Sequence, residues 1–289
     1  MISQEVSKKI RLLEIHARRM INGMQVGDYN TAQKGSGFEF DQIREYQEGD
    51  DVRFIDWNSS VRMNKLLVRQ YLEERNRTVF LLVDCSGSTV FSSHESLKSD
   101  LIAQIAGVLA LVADYGKDNI GLFVCSDQVE TYIPAARGRE HVQTIMKTVF
   151  EASGATKKTS LKAGLKFLME HHQKNALVFI ISDFIDEDFE TTLGSVASRY
   201  ECIAIRCLDT LETQAPIASY ITVRDPETDQ EMTIDMRKQN NARLNVILQA
   251  RLNAQNNCFK KYNVDYMDVT TNRDFMADII RFFRRRMMY

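Results

Sequence analysis

Short apolar runs recur downstream of residue 78: VFLLV (79–83), IGLFV (120–124), ALVFII (176–181), ECIAIRC (201–207) and VDYMDV (264–269). Runs of this length with little polar alternation fit strands buried on both faces of a parallel sheet. Between them the apolar residues change period. Leu101, Ile105, Val108 and Val112 follow the spacing of one helix face, as do Leu161, Leu165 and Leu168. Leu244, Ile247, Leu248 and Leu252 repeat the pattern in a longer segment. Strands alternating with helices predict βαβ units, hence an α/β fold on a doubly wound, mostly parallel sheet of Rossmann type.

Two regions break the alternation. Residues 1–77 open with a helical pattern over about 4–22, followed by the loop AQKGSGFEF and strand-like pieces at FEFDQIREY and KLLVRQYLEE. Within 208–237, YITVRDPETDQEMTID reads as two short strands joined at Asp225-Pro226-Glu227-Thr228. Both segments are expected to form one small β appendage. The organisation is then 1–77 as N-terminal helix and appendage segment, and 78–289 as the main domain carrying 208–237 as a hairpin insertion. With 3 prolines and 13 glycines, no stretch resembles a flexible interdomain linker.

Composition narrows the function classes. A net charge of -2 argues against nucleic-acid binding through overall positive charge. Cys85, Cys125, Cys202, Cys207 and Cys258 contain no C-x-x-C pair, and three lie in or beside strand-like runs, so buried, reduced thiols are expected. Residues 1–25 hold no continuous apolar segment and no later stretch is long enough to span a bilayer, which predicts a cytoplasmic protein.

Ligands of open α/β sheets gather outside the carboxyl ends of the strands, at the point where strand order reverses. VFLLVDCSGST ends such a strand in Asp84, Ser86 and Ser88, and ALVFII ends in Ser182-Asp183. The loop GATKKTSLKAGL brings Thr159 to the start of a helix, with Thr156 as a rival three residues earlier. Asp84, Ser86, Ser88, Thr159 and Asp183 offer oxygen only, a donor set that selects magnesium, with manganese or calcium as alternatives, over zinc or copper. The bland reading is a strand-to-helix turn capped by hydroxyls.

The arrangement DCSGS, KKTSL and ISDF resembles the metal-ion-dependent adhesion site of von Willebrand factor A domains. The upstream stretch GSGFEFDQIREYQEGDDVRFIDWNSSVRMNKLLVRQYLEERNRTVFLLVDCSGS resembles the signature of domain of unknown function fifty-eight, the MoxR-associated bacterial branch of that fold. SDFIDEDFETTL and VRDPETDQEMTID fit the same pattern, so the resemblance spans roughly 30–270. Departures are visible: Lys157-Lys158 stand where the family often has two glycines, and Asp209-Thr210-Leu211-Glu212 where it often has Asp-Pro-x-Glu. The resemblance implies a von Willebrand A-like domain whose magnesium completes its coordination with an acidic residue of a protein partner. It further implies an adaptor or co-chaperone of a MoxR-type AAA+ ATPase, and no enzyme.

The competing class is a metal-dependent, phosphatase-like hydrolase using the same Asp/Ser site. A haloacid-dehalogenase reading of DCSGST needs a second aspartate where Ser86 stands. Neither a G-x-S-x-G elbow nor a Walker A sequence is present, and His16, His94, His141, His171 and His172 read as solvated. Arg44, Asp50, Asp51, Arg53, Asp56 and Trp57 form a charge-dense block around the only tryptophan. It reads either as a partner-docking surface or as Arg/Asp pairs fastening the N-terminal segment to the main sheet. The arginines of the tail RFFRRRMMY suit a helix C-terminus, and a peripheral role at an anionic membrane stays open.

Overall fold

The structure is a computed structural model of the chain. It describes residues 14, 39–47, 50–72, 77–90, 97–152, 160–171, 176–186, 188–215, 220–224, 231–235 and 237–286. Two compact units result: Gln25–Asn76, and Met1–Met24 together with Arg77–Tyr289.

In the smaller unit, β1 (Glu39–Glu45) pairs antiparallel with β2 (Leu67–Leu72), and a one-turn 3-10 helix and α1 (Trp57–Met63) connect them. Asp56 caps α1 by accepting from the Ser59 amide at 3.1 Å, and Asn64, at φ 49°, ends it in the left-handed conformation typical of helix stops.

The larger unit contains β3 (Thr78–Asp84), α2 (Lys98–Tyr115), β4 (Asn119–Cys125), β5 (Val129–Ala136), α3 (Arg139–Glu151), α4 (Leu161–His171), β6 (Leu177–Ser182), α5 (Glu190–Ala197) and β7 (Glu201–Leu208). After these come α6 (Thr210–Thr213), β8 (Tyr220–Arg224), β9 (Glu231–Asp235), α7 (Lys238–Lys261), β10 (Asp265–Thr270) and α8 (Phe275–Arg286). The six-stranded sheet has the order β10-β7-β6-β3-β4-β5, and its strands are parallel except β5. This is the doubly wound α/β class expected from the alternation of apolar runs and helical faces. β8 and β9 form an antiparallel ribbon of their own, with the turn read at 225–228 outside the described residues. Of the helix read over 4–22, only Glu14 is described, and it is helical.

Strand β5 is a correction to the sequence reading, which saw no strand there. Its side chains are half-buried at best and it contains Pro134, so no apolar run announces it. A residue without a backbone donor is tolerated at a sheet edge, and β5 is an edge.

Both faces of the sheet are covered. On one, Phe80, Leu82, Phe123, Val178 and Ile180 meet Leu161, Leu165 and Leu168 of α4, Leu193 and Val196 of α5, and Phe259 of α7. On the other, α2 packs on β3, β4, β6 and β7, and Phe283 of α8 meets Phe179 edge-on. Gly121 of β4 allows the close approach of Phe80, whose Cε1 lies 2.4 Å from where a Cβ would stand. The α7 pattern holds only in part: Leu252 is buried, but Ile247 is 57% exposed. All five cysteines are free and buried, and burial pushes the Cys202 and Cys258 thiols up to about 12 and about 11, so neither is a nucleophile at neutral pH. No helix among the described residues is long and apolar enough to cross a membrane.

Candidate functional site

Strand order reverses between β3 and β6. From β3 the chain proceeds outward to β4 and β5, whereas β6, β7 and β10 lie on the other side. The register pairs Val83 with Ile181, which brings Asp84 at the end of β3 beside Ser182 at the end of β6. Ser182 Oγ donates to Asp84 Oδ2 at 2.6 Å, and the Ser86 amide donates to Asp84 Oδ1 at 2.9 Å. A 3-10 turn, Gly87–Val90, then carries Ser88. Thr89 locks the turn by donating its hydroxyl to the Ser86 carbonyl at 2.7 Å, and Ser86 Oγ lies 3.0 Å from Ser88 Oγ.

Asp183 follows directly on β6. Its Oδ1 accepts from the Ile185 amide at 3.1 Å and its Oδ2 from Lys98 Nζ at 2.7 Å. Lys98 is fully buried, at 0% exposure, and also donates to Glu212 Oε1 at 2.8 Å. Between Asp183 and Ile185, Phe184 has φ 56°, a conformation that costs an L-residue about 1–2 kcal/mol. Three contacts hold it there. Its amide donates to Ser182 Oγ at 2.9 Å, its carbonyl accepts from Gln255 Nε2 at 2.8 Å, and its ring packs edge-on against Phe259.

The electrostatics follow from burial. Loss of water, and next the nearby charge of Asp183, push the Asp84 carboxyl up to about 6 despite the hydrogen bonds from Ser182 and Ser86. Burial alone would lower the Lys98 ammonium, but Asp183 and Glu212 outweigh it and raise it above its ordinary value. Asp183 and Glu212 thus face a single ammonium, and Asp84, which feels the charge of Asp183, is bonded by hydroxyl and amide donors instead.

Of the residues proposed from sequence, the structure brings Asp84, Ser86, Ser88 and Asp183 to one sheet edge. Thr159 and its rival Thr156 lie outside the described residues. The next residue, Ser160, donates its amide to the Ser126 carbonyl at 2.6 Å, just past β4, and Leu161 donates its amide to Asp186 Oδ2 at 2.9 Å. Among the described residues no group of three or more His, Cys, Asp or Glu side chains is placed to hold a metal ion, so hydroxyls have to supply part of any donor set here. Lys98 and Glu212 escaped the sequence reading. A signal existed for the lysine: it precedes Leu101 and Ile105 by three and seven residues and so shares their buried face.

In the smaller unit the charge-dense block closes on itself. Arg44 makes two bonds of 2.7 Å to Asp50, Arg53 pairs with Asp51 at 2.6 Å, and Arg69 donates to Asp56 at 3.0 Å. The Arg69 guanidinium and the capping amide of Ser59 hold the Asp56 carboxyl down at about 2. Arg69–Asp56 ties β2 to the start of α1, Arg44–Asp50 ties β1 to the turn that follows it, and Arg53–Asp51 is a local, exposed pair. Trp57 remains 64% exposed.

Two uncharacterized mycobacterial proteins, Mb1516 of Mycobacterium bovis and Rv1480 of Mycobacterium tuberculosis, are each 27% identical to this chain over 288 residues, which is 98% of it and 90% of them. Among solved structures, an aerotolerance-related membrane protein from Bacteroides fragilis matches 73% of this chain and 98% of its own at 11% identity, with a TM-score of 0.47. A family model described as "Protein of unknown function DUF58" matches residues 42–255. The chain belongs to that family.

Proposed function

We propose that this chain is a protein-docking module that binds a divalent ion at the carboxyl edge of its sheet and uses it to engage an acidic residue of a partner. The observation that carries the reading is the 3.0 Å separation of Ser86 Oγ and Ser88 Oγ beside an excess of buried carboxylate. Magnesium holds its ligands at 2.0–2.1 Å in an octahedron, whose edge is therefore about 2.9 Å. Two hydroxyls at that spacing fit neighbouring positions on one ion. Both oxygens of Asp84 are engaged by Ser182 and Ser86, and both of Asp183 by Ile185 and Lys98, which suits carboxylates acting through water. Ser86 and Ser88 would hold the ion directly with Thr159, and Asp84 and Asp183 would orient its waters. Magnesium is the first choice, with manganese or calcium as alternatives. Bound there, the ion supplies a positive charge that attracts a carboxylate.

Among the described residues, the docking reading is favoured over a hydrolase by the placement of the two histidines. His141 bonds the Ile120 carbonyl near the start of β4, and His171 stacks on Phe167 at the end of α4, so neither faces the carboxyl edge. The family resemblance suggests a MoxR-type AAA+ ATPase as the partner and an adaptor or co-chaperone role. The test is capture of a purified MoxR-type ATPase by this chain with magnesium, with chelator, and with Asp84→Ala. Capture lost with chelator and in the variant is the expected result. Capture indifferent to both, together with metal-dependent phosphoester hydrolysis that Asp84→Ala abolishes, would replace docking with catalysis.

A further inference from the structure

Lys98 has no part in the metal reading so far, yet it is the most costly residue at the edge to bury. Removing an ammonium from water costs several kcal/mol unless charge partners offset it. A leucine or methionine at position 98 would extend the apolar face of Leu101 and Ile105 without that cost. Local helix chemistry does not call for a cation either. Lys98 is the first residue of α2, where the helix dipole disfavours positive charge, and the preceding Leu97 offers no side-chain cap. The position is explained by the two carboxylates it reaches, Asp183 from the end of β6 and Glu212 from α6.

Glu212 is itself fixed. Its Oε2 accepts from the Asp209 amide at 2.8 Å, Asp209 Oδ1 accepts from the Leu211 amide at 2.9 Å, and Thr271 Oγ1 donates to Asp209 Oδ2 at 3.1 Å. The ammonium is therefore held between two anchored carboxylates, and it bonds neither Asp84 nor the two serines. Asp84, Asp183, Glu212 and the buried Asp209 gather negative charge at this edge, and the Lys98 ammonium offsets one unit of it.

We propose that Lys98 is a positioning and selectivity residue, which holds Asp183 in place and lowers the negative charge of the edge, favouring a divalent over a trivalent ion. The inference rests on the metal reading above. The ammonium acts as a permanent internal cation, and the exchangeable ion adds to it. Replacing it by an apolar side chain leaves one more uncompensated charge, which favours a trivalent over a divalent ion by roughly tenfold or more.

The experiment uses the full chain and two probes, manganese by titration calorimetry and terbium by luminescence. Lys98→Met is expected to shift the terbium-to-manganese affinity ratio at least tenfold toward terbium. Glu212→Gln, which removes a negative charge and retains an acceptor for the Asp209 amide, is expected to shift it about tenfold the other way. The double variant Lys98→Met/Glu212→Gln restores the charge balance and is expected to return within about threefold of the parent ratio. Thermal unfolding checks that each variant is folded. If Lys98→Met does not fold, Glu212→Gln and the double variant decide. A parent chain that binds manganese, with ratios unmoved by Glu212→Gln and not tracking charge in the double variant, overturns this inference alone and leaves the metal reading intact. A parent chain that binds neither ion overturns both.

Discussion

Ser182 Oγ donates to Asp84 Oδ2 at 2.6 Å, so the last residue of β6 fixes the last residue of β3 across the point where strand order reverses. The same oxygen accepts the amide of Phe184, which is held at positive φ. Ser182→Ala removes a donor from a buried carboxylate and the acceptor of a strained amide together. Each such loss costs about 1–3 kcal/mol. The variant should lose roughly 2–3 kcal/mol in urea unfolding, with the slope unchanged.

Stability without metal should fall as pH rises through the acid range. The folded chain holds the Asp84 proton up to about 6, whereas an unfolded aspartate releases it near 3.9. Below about pH 4 both states are protonated and the group contributes no difference. Between about 4 and 6 the unfolded chain has released its proton and the folded one has not, so unfolding gains; above 6 the loss is complete. Roughly 2–3 kcal/mol should disappear across that window in chelator, and Asp84→Asn should flatten the profile. Asp56, held down at about 2, adds stability that is lost only below this window. Urea midpoints at pH 4.5 and 7 measure the effect, and added magnesium should restore the difference if the ion draws out the carboxylate form.

Thr159 and Thr156 compete for one role, and their neighbours rank them. Ser160 and Leu161 are held by Ser126 and Asp186, just past β4 and β6, and Thr159 immediately precedes Ser160 in the sequence. Thr159→Ala should weaken manganese binding roughly tenfold, as the loss of one good hydroxyl contact of about 1.4 kcal/mol would, whereas Thr156→Ala should leave it unchanged. Calorimetry on the two variants separates them.

Arg206 is the largest fully buried side chain of the sheet. It bonds both oxygens of Asp268 at 2.8 Å, Gln255 Oε1 at 2.7 Å and Asn256 Oδ1 at 2.9 Å. Arg206→Met leaves Gln255 and Asn256 short of a donor, but Asp268 is partly solvated and tolerates the loss better. A destabilisation of about 2–4 kcal/mol is expected. Gln255 also carries the Phe184 carbonyl, so metal affinity should fall alongside stability, which the same calorimetry would show.

What the sequence disclosed follows a physical rule. The buried strands were legible because parallel strands covered on both faces cannot alternate, and DCSGS and ISDF were legible because polar residues interrupt such runs only at strand ends. β5 was not, since an edge strand with one half-covered face and Pro134 has no run to show. Ile247 broke its helical pattern by facing solvent, because an amphipathic period describes a face and not how much of the helix is covered. Lys98 was overlooked because a lysine at a helix start reads as solvated. Its phase with Leu101 and Ile105 carries the opposite message, and only the folded chain brings up the two carboxylates that make it tolerable.

The bonds that shape the edge span long stretches of chain. Ser182 and Asp84 are 98 residues apart, Lys98 and Asp183 are 85 apart, and Lys98 and Glu212 are 114 apart. Closing loops of that length is entropically unfavourable until neighbouring strands have paired. The carboxyl edge is therefore expected to assemble late in refolding, after β3, β6 and β7 are in register. Terbium luminescence would then appear only with the slowest phase, and a partly folded chain, however much sheet it holds, would be blind to the ion.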